Sequence, residues 1–389
     1  MITQEAKDLV LAERLIAMHE GDEVKSVYVP FRTLGAEMIA KLPSMDGSIL
    51  VLSDAGLLVA VIRRLKVEGR DHSNVQFVCH TEALQELGRV LGVKTILISY
   101  NQINEWIAKA NMGMKFDIVV GNPPYQGVDG SSDKLWKPFV TMMSDALVEG
   151  GLLAFVTPSS WSKPLTTNPS KLNQQINSIL FNNSMLYLNI NTSRYFNVGV
   201  QTSAWIIKKD SQSRGINWQT NNPALQTFAE KILGEPDQAL FLDADKTVWK
   251  RLPDSKVKSD THTVPVLGKN RVTFSNVDDV ILRQTPKVII PRVLGYAPQF
   301  DFKGEYGFNF NSHAVLCKST EEVEAAKSIL TSKIVRWSLK HLSWTPQTDF
   351  SMLKMMRLPS LKVSMSDAEL YAHFDLDQAE IDLIEKGVK

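Results

Sequence analysis

The residues whose types and spacing can do chemistry lie between Asp117 and Tyr125, in the run Asp-Ile-Val-Val-Gly-Asn-Pro-Pro-Tyr. An apolar run ends there in a glycine, an asparagine and two prolines. The prolines fix φ and remove two backbone donors, so the loop is stiff and its carbonyls can face outward. Such a loop can present Asn122 Oδ1 and the Pro123 carbonyl as two acceptors about 3 Å from one amino group. Two acceptors suit a planar exocyclic amine with two N–H bonds. The lone pair of adenine's amine is delocalised into the ring and is a poor nucleophile. Paired acceptors favour charge build-up on that nitrogen as it attacks a methyl sulfonium, and they hold it in line. Tyr125 would then lie against the base as a stacking plate. The plainer reading is a proline-stiffened strand–helix turn in which Asn122 caps the next element.

A loop of this kind needs a rigid sheet behind it. From Val27 to about Lys209, strand-like apolar runs alternate with helical patterns. The runs predict strands over 48–54, 75–80, 95–99, 116–122 and 152–157, with two more near 185–190 and 203–209. Several are continuous and β-branched, as in strands covered on both faces. Helices are expected over Thr81–Leu91 and Asp133–Glu149. In the second, Leu135, Phe139, Met142 and Ala146 share one face, and Gly150-Gly151 would stop it. The alternation implies an α/β fold with a doubly wound, mostly parallel, Rossmann-like sheet, whose ligands bind at the carboxyl ends of the strands. An amphipathic helix is expected before it, over residues 1–26.

The 389 residues exceed what one core usually holds, so two domains are expected. The polar, turn-rich stretch Asp210–Gly215 marks the boundary: 1–210 for the α/β domain and 211–389 for a smaller mixed α+β one. The second holds one clear helical pattern, Glu321–Leu342, with Val323, Ala326, Leu330, Ile334 and Trp337 facing inward.

Bulk properties exclude some classes. A formal net charge of +1 neither demands nor forbids a nucleic-acid partner, because phosphate binding depends on a local basic face. No run approaches the roughly 18 apolar residues of a membrane span, and the N-terminus lacks an apolar signal core. Two distant cysteines, Cys79 and Cys317, suggest buried thiols in a reducing, cytoplasmic setting. Seven scattered histidines form no metal-ligand spacing, and no GxxxxGK[ST] loop is present.

With these residues in view, the segment at Asn122 resembles the catalytic motif of the amino methyltransferases, and its surroundings resemble the gamma-type DNA adenine-N6 methyltransferases of restriction–modification systems. Val29-Pro30-Phe31 followed by Met38-Ile39 is similar to the family's segment before the first strand. Gly150–Trp161 resembles its strand and Pro-Ser-x-Trp ending. Tyr195–Lys209 resembles the later motif flanking the target base. Val288–Arg292, Ser328–Lys333 and Leu358-Pro359 look like pieces of its recognition domain. The resemblance implies S-adenosylmethionine as cofactor, double-stranded DNA as partner, and a possible cognate restriction nuclease. It implies an extruded adenine held at Asn122, Pro123, Pro124 and Tyr125, with Phe196 on the opposite side of the base.

The cofactor half departs from the family's pattern. Where a Gly-x-Gly turn is expected, the sequence reads Leu52-Ser-Asp54-Ala-Gly56-Leu-Leu58. Strand two runs into Phe77-Val-Cys-His-Thr-Glu82, and strand three into Ile98-Ser-Tyr-Asn101. By the resemblance, Pro30, Asp54, Gly56, Glu82 and Asn101 are the residues left to hold the cofactor. The alternatives are a catalytically silent DNA-binding or regulatory subunit, or a methyltransferase of RNA or of protein glutamine. Basic residues gather in the front of the second domain: Lys250, Arg251, Lys256, Lys258, Lys269, Arg271, Arg283, Lys287 and Arg292. Of these, Lys269, Arg271 and Arg292 are the expected DNA contacts.

Overall fold

The computed structural model describes residues 28–98, 102, 105, 115–125, 136–163, 165, 169–190, 192–196, 201–213, 215–220, 222–234, 242–243, 258–268, 271–276, 283–291, 296–308, 312–342 and 350–388. The expected helix over 1–26, Asn101, Lys269 and Arg292 lie outside them. The chain divides into two compact units, Met1–Gln219 and Thr220–Lys389.

The first unit is built on strands β1 (Ile49–Leu52), β2 (Val75–Cys79), β3 (Lys94–Leu97), β4 (Phe116–Gly121), β5 (Leu147–Pro158), β6 (Ser184–Asn189) and β7 (Thr202–Lys208). They form one sheet in the order β3-β2-β1-β4-β5-β7-β6. All pairings from β3 to β5 are parallel, and β7 runs antiparallel to both of its neighbours. The helices are α1 (Ala36–Ala40), α2 (Ala55–Val67), α3 (Glu82–Val90), α4 (Trp136–Asp145) and α5 (Lys171–Phe181).

Both faces of the sheet are covered, which explains why the strands read as unbroken apolar runs. Ile49, Val51, Ile118, Val120, Ala154 and Val156 join one core with α2 and α3. Their alternate neighbours Leu50, Leu52, Val119, Leu153 and Phe155 join another with Trp136, Phe139, Val140 and Met143 of α4 and Ile176, Leu180 and Phe181 of α5. The architecture is therefore α/β and doubly wound. The Pro-Ser-x-Trp segment closes the end of β5: the Trp161 indole N–H donates to Ser203 Oγ at 2.9 Å and its ring packs 5.8 Å from that of Phe181.

Two expectations need correction. Gly150-Gly151 does not stop a helix after Glu149. α4 ends at Asp145 and β5 already starts at Leu147. The glycines extend the strand: the Gly150 N–H donates to the Lys209 carbonyl at 2.7 Å and Lys209 N–H to the Gly151 carbonyl at 2.9 Å. Gly150 has φ +78°, a turn conformation that glycine adopts freely. The helical pattern 321–342 is two helices, not one. It breaks at Thr331-Ser332, where Ser332 is extended at ψ 157°, while all five expected inward residues are buried.

The second unit contains β8 (Leu242–Asp243), β9 (Val264–Gly268), β10 (Arg271–Ser275), β11 (Lys287–Pro291), β12 (Gln299–Asp301), β13 (Gly307–Phe308) and β14 (Ser312–Leu316). They make two small sheets, β10-β9-β13 and β12-β11-β14-β8. Among its helices are α6 (Gln226–Ile232), α7 (Thr320–Leu330) and α8 (Lys333–His341). One sequence expectation fails here. Lys287, counted among the basic front, is fully buried in an ion pair with Asp301 at 2.7 Å. Lys258 is exposed, and Arg271 opens β10. Among the described residues no helix is long and apolar enough to cross a membrane. Cys79 and Cys317 are free and buried, and burial pushes both thiols up to about 11.

Candidate active site

Strand order brings two loops together. The sheet reverses direction of winding between β1 and β4, and at such a switch point the crevice outside the carboxyl ends is the ligand seat. In register, Leu52 of β1 lies opposite Gly121 of β4. The residues that follow, Ser53-Asp54 and Asn122, therefore leave the sheet side by side. Ser53 takes φ 52°, which turns the chain directly into α2 without a glycine-rich loop.

Asp54 is the N-cap of α2 and is completely buried. Its Oδ1 accepts the Leu57 N–H at 2.8 Å, and its Oδ2 accepts the Val29 N–H at 2.9 Å. Oδ2 also accepts from Asn122 Nδ2 at 3.0 Å. Asn122, 8% exposed, uses its other end too: Oδ1 accepts the Tyr125 hydroxyl at 3.0 Å. Pro123 is buried, and Pro124 and Tyr125 are half-buried. The result is a line of three side chains, Tyr125 to Asn122 to Asp54, running from loop to sheet. Burial, and then the Asp54 charge, push the Tyr125 phenol well above its usual range, so it stays a neutral donor.

Burial pushes the Asp54 carboxyl up to about 6, against the pull of the N–H groups of Leu57, Val29, Asn122 and Gly56. Its folded-state value is raised, so its contribution to stability is complete below about pH 4 and is lost as pH rises through about 6. The shift corresponds to roughly 3 kcal/mol at about 1.4 kcal/mol per unit. Asp54→Asn removes this titration. Its stability penalty relative to the wild type is expected to be largest at acid pH and to narrow through pH 6. Urea unfolding of both proteins at pH 5 and pH 7.5 checks this, and a pH-independent difference contradicts it.

The other expected site residues are placed as follows. Pro30 is half-buried, and its carbonyl accepts N–H from Thr33 and Gly35 at 3.2 and 3.0 Å. Gly56 packs against the segment before α1: a Cβ there would lie 1.7 Å from the Val29 carbonyl oxygen. Glu82 is exposed on the first turn of α3. Phe196 is buried within the core on the α2 face, whereas Tyr125 packs against the core on the other face. The structure brings Asp54, Asn122 and Tyr125 together. The Asp54–Asn122 contact escapes sequence reading. The one available signal is an acid two residues beyond a buried strand.

The strand order and the loop at the switch point define a doubly wound, Rossmann-like α/β fold. Residues 80–196, which contain that loop, match the family model described as Eco57I restriction-modification methylase. No curated protein matches the sequence. Among solved structures, the chain is similar to the type IIG restriction endonuclease BpuSI at 12% identity, covering 99% of this chain and 63% of that one, with a TM-score of 0.44. It is similar to a chain of a type I restriction–modification complex at 14% identity, covering 54% and 48%, TM-score 0.40. A Listeria monocytogenes protein described as a class I S-adenosylmethionine-dependent methyltransferase shares 17% identity, covering 56% and 71%, TM-score 0.40. The chain spans about half the length of the type I chain it matches.

Proposed function

We propose that this chain is a DNA adenine-N6 methyltransferase that takes its methyl group from S-adenosylmethionine. The observation that carries the reading is Asn122 at the β1/β4 switch point, its amide nitrogen donating to Asp54 and its oxygen accepting from the Tyr125 hydroxyl. The family match across the same loop supports it. An adenine amine arriving there donates one N–H to Asn122 Oδ1, displacing the Tyr125 hydroxyl, and the other to the Pro123 carbonyl. Both acceptors gain strength as positive charge grows on the amine nitrogen, so they favour the transition state over the ground state. No covalent bond to the protein is required.

Tyr125 serves this reading by its ring rather than its hydroxyl. Tyr125→Phe keeps the stacking surface and removes the donor that competes for Asn122, so turnover is expected to stay within several-fold of wild type. Tyr125→Ala loses the ring, and with base stacking worth about 1–3 kcal/mol, kcat/KM falls by roughly 5- to 150-fold. Equal losses in the two variants, measured as labelled methyl incorporation into duplex DNA, speak against stacking.

The turn after β1 does not fit the cofactor as a glycine-rich turn would. Asp54 has its oxygens engaged by protein donors, and the space over Gly56 is filled by the Val29 carbonyl. That observation favours a second reading, a catalytically silent methyltransferase-like subunit that binds DNA. Isothermal titration with S-adenosylmethionine separates the two: absence of heat at millimolar ligand leaves only the silent reading. The direct test of the first is long-read sequencing of DNA from cells expressing the protein. N6-methyladenine in a fixed sequence context is expected, and unmodified DNA rejects it.

A further inference from the structure

The two ends of an asparagine amide are nearly the same size and differ in sign. With the oxygen toward an incoming amine, Asn122 accepts an N–H; with the nitrogen there, donor meets donor and the site does nothing. Something must decide which end faces the substrate. An ionised carboxylate can only accept hydrogen bonds. Asp54 Oδ2 stands 3.0 Å from Asn122 Nδ2, so a flipped amide would set two oxygens against each other.

Asp54 cannot move aside to allow the flip. The Leu57 N–H holds Oδ1 and the Val29 N–H holds Oδ2, both below 3.0 Å, and the residue is completely buried at the start of α2. The pairing of Leu52 with Gly121 fixes the two side chains relative to one another through the sheet. The far end agrees, because the Tyr125 hydroxyl meets Asn122 at its oxygen. We infer that Asp54 is the positioning residue of the site, locking the Asn122 amide with its oxygen toward the substrate, and not a cofactor ligand. The inference rests on the proposed methyl transfer for its consequence, but the locked amide exists without it. A charge-assisted hydrogen bond at Nδ2 also polarises the amide and makes Oδ1 a better acceptor.

Asp54→Asn replaces Oδ2 by a donor and turns Asn122 over. Turnover on duplex DNA is expected to fall about 100-fold, with KM for DNA changed less than threefold, in protein whose circular dichroism is native. The exchanged pair Asp54→Asn with Asn122→Asp again matches donor to acceptor and leaves a carboxylate oxygen toward Tyr125. It should recover at least tenfold of the lost turnover. Its stability should stay low, because the Val29 N–H is still opposed by a donor, so recovery of activity without recovery of stability marks positioning rather than scaffolding. A readout independent of activity is the side-chain amide of Asn122 in protein labelled with 15N-asparagine and assigned by its loss in Asn122→Asp. One strongly shifted, exchange-protected amide pair is expected in the wild type. A wild type without turnover but with that signal overturns the methyltransferase reading and keeps the lock. A rapidly exchanging Asn122 amide, or folded Asp54→Asn with turnover within threefold of wild type, overturns the lock.

Discussion

Asn122→Ala is expected to abolish methyl transfer while leaving affinity for duplex DNA within a few-fold. In the proposed reading only one of the two acceptors for the substrate amine comes from a side chain, and this substitution removes it. Loss of a single preorganised polar group at a reacting centre costs a factor of about 10²–10³ in turnover. Here the loss should be at least that large, because the remaining acceptor, the Pro123 carbonyl, can take one N–H but cannot fix the amine in line by itself. Proteins that bind duplex DNA draw affinity chiefly from phosphate contacts, which one buried amide does not make. Stability should fall modestly: Asp54 keeps its N–H donors from Leu57 and Val29, and the Tyr125 hydroxyl loses its acceptor. A fully buried stranded donor costs about 1–3 kcal/mol, and half-buried Tyr125 should cost less. The measurement is labelled methyl incorporation together with fluorescence anisotropy on the same DNA. Turnover like that of the wild type refutes the assigned role, and a parallel loss of DNA binding moves Asn122 from chemistry to docking.

Much of this geometry can be read from the chain, for identifiable reasons. The strands announce themselves as unbroken β-branched runs, because the sheet is buried on both faces, and their observed limits differ from those expected by a residue or two at most of their ends. The Asn122 loop stands out because a glycine, an asparagine and two prolines end an otherwise unbroken apolar run. What escapes is set by register. Nothing near Asp54 in the sequence says that Leu52 pairs with Gly121, so its hydrogen bond with Asn122 cannot be read from the chain. Gly150-Gly151 misleads for a similar reason: the local signal for a helix stop is overridden by pairing with Lys209, some sixty positions away. The burial of Phe196 in the core on the α2 face is likewise set by packing rather than by its neighbours in sequence.

Lys287 misleads most of all, and it sets the second large expected effect: Asp301→Ala destabilises the second unit by about 3–5 kcal/mol, the usual cost of stranding one member of a buried ion pair. Sequence counts Lys287 as part of a basic surface. It opens the run Lys-Val-Ile-Ile-Pro of β11, every residue of which is buried, and its register partner across the antiparallel ladder is Asp301 of β12. The ammonium donates to Asp301 Oδ2 at 2.7 Å and to the Thr285 carbonyl at 3.0 Å. Burial lowers the lysine's affinity for its proton, and Asp301 opposes that. Asp301 does more than neutralise charge. It also accepts the N–H groups of Glu305 and Tyr306 at 2.8 and 3.0 Å, which ties down the turn leading to β13. The two partners are therefore not equivalent. Lys287→Met leaves a carboxylate that still has two N–H donors, whereas Asp301→Ala strands an ammonium and two amides at once, so the aspartate variant should be the weaker protein. Urea unfolding orders the variants, and amide hydrogen exchange at Glu305 and Tyr306 should accelerate in Asp301→Ala but much less in Lys287→Met. Equal midpoints for all three proteins would mean that water reaches Lys287 and that the pair belongs to the surface after all.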